Sequence, residues 1–132
     1  MTLIPDRLLD LLSLEKKAFA SLALTLSDGS PQVTPIWFGW DGTYITLNTA
    51  RGRVKDKVMR RGGKVALLIV DPNDPYRYLQ IRGRVVDETE AGAYDVICDL
   101  QMKYRGNRDY PKRPGEVRVT YKVLPDQVFP QK

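Results

Sequence analysis

The chain contains no histidine. A Ser-His-Asp or Cys-His nucleophile system is therefore excluded within it, and so is a haem held by an axial imidazole. A zinc site would have to be assembled from carboxylates and a single thiol, a poor donor set for that metal. Cysteine is nearly absent: Cys98 stands alone, so no disulfide forms within the chain and nothing in the cysteine usage points to secretion. No apolar run approaches the roughly 20 residues that a bilayer-spanning helix needs. The opening MTLIPDRLLDLL is short and acidic and has no small-residue cleavage site, so it does not read as a leader. These absences predict a cytoplasmic protein without a membrane partner. They also leave its chemistry to a bound organic cofactor.

What is present fits one globular domain over residues 1–132, with 42% apolar and 28% charged residues. The formal charge of +5 suits nucleic acid, anionic lipid or a phosphorylated small molecule as partner. Ile4 to Leu12 reads as a short helix with Ile4, Leu8, Leu11 and Leu12 on one face. Ala18 to Leu26 alternates as a strand, the turn Ser27-Asp28-Gly29-Ser30 follows, and Gln32 to Trp40 returns. Pro35 within that return predicts an edge position or a bulge. Thr43 to Asn48 reads as a strand and Arg53 to Arg61 as a basic helix stopped by Gly62-Gly63. Lys64 to Val70 is almost continuously apolar, which predicts a central strand covered on both faces. Tyr76 to Val86 alternates, with Leu79, Ile81, Gly83 and Val85 on one side. Thr89 is placed to cap a helix reaching Tyr104, with Ala93, Ile97, Leu100 and Tyr104 as its buried stripe. Gly106 to Gly115 is a polar, basic loop. Val117 to Leu124 is the last long strand, with Val117, Val119, Tyr121 and Val123 facing inward. The sum is a mainly β (α+β) domain of about six antiparallel strands that close into a barrel or sandwich. A Rossmann domain does not fit, because strands and helices do not alternate and no GxGxxG follows a strand.

Three segments are able to carry chemistry. In Asn48-Thr49-Ala50-Arg51-Gly52-Arg53-Val54-Lys55-Asp56-Lys57 a strand ends, a glycine-containing turn follows and a helix begins. Helix-start N–H groups, the Thr49 hydroxyl, two guanidinium groups and the Lys55 ammonium together suit a phosphate monoester. The alternative is a solvated basic face. In Pro35-Ile36-Trp37-Phe38-Gly39-Trp40, rings and a proline on an edge strand suit a wall for a flat heteroaromatic ligand, though an ordinary core or interface cluster is the simpler reading. Tyr76-Arg77-Tyr78 with Arg82 and Arg84 interleaves aromatic and basic residues as single-strand binders do. There is no RNP-like pattern and no Lys/Arg block longer than two residues, so nucleic acid is not the expected partner.

The run Thr34-Pro35-Ile36-Trp37-Phe38, then Asn48-Thr49 with Gly52-Arg53-Val54-Lys55, then Arg60-Arg61 and Val65-Ala66-Leu67, resembles the pyridoxamine 5′-phosphate oxidase-like superfamily. Asp74-Pro75-Tyr76-Arg77-Tyr78 and Ile81-Arg82-Gly83-Arg84-Val85 resemble its deazaflavin-dependent branch, and the likeness extends over residues 18–128. The resemblance implies a six-stranded antiparallel split β-barrel with short helices, homodimeric, with cofactor sites at the subunit interface. It implies that Thr49, Arg53 and Lys55 hold the cofactor phosphate, with Arg51 beside them, and that Pro35, Ile36 and Trp37 lie along the tricyclic ring. Asn48 would sit near the ribityl chain, and Tyr78 and Arg82 would approach from the partner subunit. Two features depart from the family pattern. The helix reads Lys55-Asp56-Lys57-Val58-Met59, without the Asn that usually follows the phosphate lysine. The chain also lacks the histidine and the arginine-rich tail of true pyridoxamine phosphate oxidases, which argues against vitamin B6 oxidation. The expected function is an oxidoreductase in which reduced deazaflavin (coenzyme F420) delivers hydride to an electron-poor small molecule. The alternatives are an FMN-dependent reductase on the same fold and a non-catalytic carrier of such a cofactor.

Overall fold

In a computed structural model, residues 3–132 are described; Met1 and Thr2, which open the segment read above as no leader, lie outside them. Alternating apolar residues produce seven antiparallel strands among these residues: β1 Ala20–Thr25, β2 Pro31–Ile36, β3 Gly39–Trp40, β4 Ile45–Ala50, β5 Gly63–Asp71, β6 Asp74–Thr89 and β7 Arg118–Gln131. A 3-10 turn, Asp6–Leu12, precedes them; α1, Val54–Arg60, and α2, Ala93–Arg105, are inserted between strands. The strands form one sheet in the order β2-β1-β5-β6-β7-β4-β3. Its two edge strands, β2 and β3, are joined only by Trp37 and Phe38. Such a short link spans at most roughly 10 Å, so the sheet has to curl until its edges nearly meet. The result is a half-barrel of the split-barrel type.

The single return strand expected over Gln32 to Trp40 is therefore two strands, which is why there are seven rather than six. Pro35 does sit on an edge strand. The last strand runs well past the expected end at Leu124, through Pro125 and Pro130. It can do so because β4 pairs with β7 only over Arg118 to Val123, which leaves the distal half with a free edge where a proline forfeits no ladder bond. Two register shifts in the β6–β7 ladder, between Arg82 and Gly83 and between Val85 and Asp87, bend the sheet. Gly83 is required at the first: a Cβ there would lie 2.5 Å from the Leu124 carbonyl oxygen.

The core is the concave interior. Leu8, Leu11, Leu22, Phe38, Ile45, Leu47, Leu67, Ile69, Leu79, Ile81 and Tyr121 are almost wholly removed from solvent there. The expected inward faces of β1 and β6 hold, and Ile4, Leu8, Leu11 and Leu12 of the N-terminal segment are buried as expected. Strand β5 is central but covered on one face only: Val65, Leu67 and Ile69 are buried while Leu68 is exposed in a single chain. Thr89 does not cap α2. It ends β6 opposite Thr120, and Gly92 with φ 75° precedes the helix instead. Val117 is exposed just before β7 begins. Helix α2 covers the outer face of β4 and β7, so polar residues of those strands, Asn48, Arg118 and Thr120, are buried beneath it.

Candidate functional site

A cleft of about 630 Å³ opens where β2, the end of β4, the β4–α1 turn, α2 and the 106–115 loop converge. Its wall comprises Phe19, Pro35, Ile36, Trp37, Asn48, Thr49, Arg53, Lys55, Gln101, Arg105, Asp109, Tyr110, Pro111 and Arg113. The two segments read separately in the sequence, Pro35–Trp37 and Asn48–Lys55, thus meet in one place.

The apolar wall is built by stacking. The Tyr104 ring lies between Phe19 and Trp37, with centroids 5.0 Å and 5.2 Å away. Its hydroxyl donates to the Ala18 carbonyl at 2.7 Å and accepts from the Phe38 N–H at 3.3 Å. Burial pushes this phenol up to about 12. Beside it the buried Lys103 ammonium donates to the Phe38 carbonyl at 2.8 Å and lies 4.0 Å from the Phe38 ring centroid. Burial alone lowers Lys103 to about 8. Both residues pin the two-residue link between the sheet edges and so fix the plane of Trp37, on whose ring the Arg105 guanidinium sits at 5.5 Å.

The polar end is formed by Thr49, Arg53 and Lys55. Lys55 is half-buried and pairs with no carboxylate among the described residues; burial, then repulsion from Arg53, lowers its proton affinity. The Thr49 side chain is buried and makes no hydrogen bond to another described residue. Two donors that border the cleft and pair with no acceptor among the described residues make a fitting seat for an anion. Side chains rather than backbone provide it. The Gly52 N–H is already bound to Asp56 Oδ2 at 2.9 Å, the Arg53 N–H bonds the Ala50 carbonyl at 3.3 Å, and α1 spans only seven residues.

Four residues expected at the site from the sequence are placed differently: Arg51, Tyr78 and Arg82 lie off the cleft wall, and Asn48 borders it with its amide already paired. Arg51 does not line the cleft: its guanidinium meets Asp56 at 2.9 Å, Glu88 at 2.7 Å and Glu90 at 2.8 Å, stapling α1 to the end of β6. Tyr78 and Arg82 lie on β6; the Arg82 guanidinium sits 4.7 Å from the Phe129 ring centroid and lines a separate groove of about 660 Å³ on the outer sheet face. Asn48 does border the cleft, but its amide is spent. It donates to the Ala93 carbonyl at 2.8 Å and Thr120 Oγ1 at 3.2 Å, and accepts from Arg118 Nε at 2.9 Å. Asp56, with Arg51, the Gly52 N–H and the Tyr121 hydroxyl around it, is held below the usual carboxylate range against the opposing effect of burial.

The sequence reading missed Gln101, Arg105, Tyr110 and Arg113. Gln101 and Arg105 reach the cleft from α2, and Tyr110 and Arg113 from the 106–115 loop folded against it. Gln101 donates to Asn107 at 3.1 Å, the Tyr94 hydroxyl donates to the Tyr110 carbonyl at 2.7 Å, and Arg118 stacks on Tyr110 at 5.1 Å. The loop's basic character was visible in the sequence, but these tertiary anchors carried no local signal. No group of metal-ligating side chains exists among the described residues. No described helix is long and apolar enough to cross a membrane.

The pyridoxamine 5′-phosphate oxidase family model matches residues 6–129, and the chain belongs to that family. Among solved structures, an F420 reductase is 30% identical with a TM-score of 0.83, covering 96% of this chain and 98% of its own. A pyridoxamine 5′-phosphate oxidase-type structure from Listeria innocua is 20% identical with a TM-score of 0.71, covering 95% of each chain. A conserved protein of Mycobacterium tuberculosis, Rv2991, is 19% identical with a TM-score of 0.76, covering 98% of this chain and 86% of its own. No curated protein matches the chain. The fold is thus the flavin-binding pyridoxamine 5′-phosphate oxidase type, in a family with oxidoreductase members.

Proposed function

We propose that the protein is a cytoplasmic oxidoreductase that holds reduced coenzyme F420 in this cleft and acts on an electron-poor small molecule. The observation that carries the proposal is the pairing of an apolar wall, Pro35–Trp37, with an unpartnered ammonium and hydroxyl, Lys55 and Thr49, in one cleft. Lys55, Thr49 and Arg53 would hold the cofactor phosphate, and Pro35, Ile36 and Trp37 would flank its ring system. When bound, the cofactor supplies the hydride; the protein binds, orients and excludes water. The likeness to an F420 reductase over nearly the full length of both chains supports the choice of cofactor.

The distribution of charge supports it as well. Arg51 is spent on carboxylates, as are Arg77, paired with Asp10 and Asp71, and Arg84, paired with Asp126. The cleft nevertheless has Arg53, Lys55, Arg105 and Arg113 on its wall. FMN, the alternative, ends at its phosphate and needs two or three cations; the acidic tail of the deazaflavin uses the remainder. The homodimer that the resemblance implies remains part of the proposal. Phe38 is fully buried and Trp37 stacked within one chain, so these rings need no partner. The outer sheet face is the better candidate: Val33, Leu68 and Phe129 are exposed on it, and a partner laid there would be the source of Tyr78 and Arg82.

Titrating the purified chain with F420 and with FMN at low and high salt tests the reading. F420 is expected to bind more tightly, with a margin that shrinks as salt screens the tail. Turnover of reduced F420 with a nitro- or enone-type acceptor is then expected. Equal affinities at low salt, or FMN retained at full occupancy through purification, would overturn the preference; binding without turnover would favour a carrier.

A further inference from the structure

The carboxylate of Glu116 stands where three arginines converge. Arg53 Nη2 lies 3.4 Å and Arg113 Nη1 3.6 Å from its Oε2, and Arg118 Nη1 lies 3.5 Å from its Oε1. All three separations exceed the usual N–H···O range, so the carboxylate is shared rather than seated in any one fork. The two cleft arginines come from opposite lips. Arg53 precedes α1, and Arg113 belongs to the 106–115 loop; both side chains are more than half exposed, at 53% and 56%. Glu116 itself is nearly buried and held in place. Its N–H bonds the Arg113 carbonyl at 3.1 Å, and the next carbonyl, of Val117, accepts from the Arg51 N–H at 2.8 Å.

The cleft is therefore not a bare basic pocket. The Glu116 carboxylate already spans the two exposed cations and Asp109 is also on the wall, while Lys55 beside them pairs with neither. A phosphate has more oxygens than a carboxylate and suits several converging donors at once, with bidentate geometry at each guanidinium. We propose that Glu116 is a specificity-determining residue: its carboxylate holds the place of the incoming anion between Arg53 and Arg113, so that a ligand enters only by displacing it. This rests on the cofactor reading above. Phosphate esters succeed, because they bring more charge and more acceptor oxygens than Glu116 supplies. Simple carboxylates, its chemical equals, gain little from the exchange.

The test measures FMN and inorganic phosphate affinities for the wild type, Glu116→Gln, Glu116→Asp and Lys55→Ala. Glu116→Gln is expected to bind both probes about two- to fivefold more tightly, the size of one removed competing charge. Its affinity should fall more steeply with salt, because more cationic charge meets the ligand. Glu116→Asp, with a shorter reach, should tighten binding less, and it carries the test if the glutamine variant does not fold. Acetate should gain affinity for Glu116→Gln where the wild type has little. Unchanged or weaker FMN binding by both Glu116 variants, with Lys55→Ala still impaired, overturns this proposal and leaves the cofactor site standing. Absence of FMN, F420 and phosphate binding by the wild type overturns both.

Discussion

Replacing Lys55 with alanine probes the site most directly. In the free protein this ammonium has a cost and no compensation: it is partly desolvated, faces Arg53, and meets no carboxylate among the described residues. An entering phosphate removes the repulsion and supplies the missing acceptor. A charge-assisted hydrogen bond at such a position contributes about 1.5–3 kcal/mol, against about 0–1 kcal/mol for a fully exposed pair. Lys55→Ala should therefore weaken F420 or FMN binding roughly 10- to 150-fold. The fold should be unaffected, because no ion pair is lost and a repulsion is relieved. Lys57→Ala, an exposed neighbour outside the cleft wall, should change affinity less than about twofold. The pH dependence follows from the sign of the Lys55 shift. Its proton affinity in the free protein is below the ordinary 10.5, so the free site begins to lose its cation, and the apparent affinity for an anion begins to fall, at a lower pH than for an ordinary lysine. Affinity contributed by Lys55 is present below that folded-state pKa and disappears as pH rises through it. The alkaline loss should be absent in Lys55→Ala. Fluorescence titration across pH gives both quantities. An unchanged dissociation constant for Lys55→Ala, or an equal loss from Lys57→Ala, would refute the assignment of the phosphate to this side of α1.

Two further outcomes are expected. Lys103 is lowered to about 8 by burial against an unfolded value of 10.5, so between about pH 8 and 10 the unfolded chain binds more protons at this position and stability rises with pH. Tyr104, raised to about 12 by burial, adds an opposite slope only above pH 10. The melting temperature of the wild type should therefore gain on that of Lys103→Met from pH 8 to 10, and parallel curves in calorimetry would contradict the cause assigned. In sedimentation at micromolar concentration the chain should run as a dimer, with an interface of about 2,000 Å² or more. Leu68→Glu on the outer sheet face should dissociate it, whereas a monomeric wild type would remove the partner's Tyr78 and Arg82 from the site.

The parts of this molecule that were legible in the sequence are those governed by local periodicity. Leu79 and Ile81 on β6, and Leu8 and Leu11 before β1, announced their burial by spacing alone. Pro35 announced an edge because a missing N–H is tolerated there. Pro125 and Pro130 misled for the same reason: a free edge on the distal half of β7 is a property of strand order, and strand order is not written near those residues. The cleft shows the same division. Thr49, Arg53 and Lys55 were legible because one turn places them together, and Pro35–Trp37 because a proline–aromatic run is unusual. Arg51 looked equivalent to Arg53, two residues away, yet carboxylates from β6 and the segment after it consume its charge. Which of two adjacent arginines remains available to a ligand is decided by residues some 37 to 63 positions distant, Glu88 and Glu90 for one and Glu116 for the other. Both are paired, but not alike. Arg51 makes short contacts to three carboxylates and is 19% exposed, whereas Arg53 makes one long contact and is 53% exposed. Under the proposed reading, exchange of a protein carboxylate for a ligand phosphate is open to the second residue and closed to the first. Local sequence therefore identifies a basic turn, while the tertiary distribution of acids selects which of its cations stays exposed to the cleft.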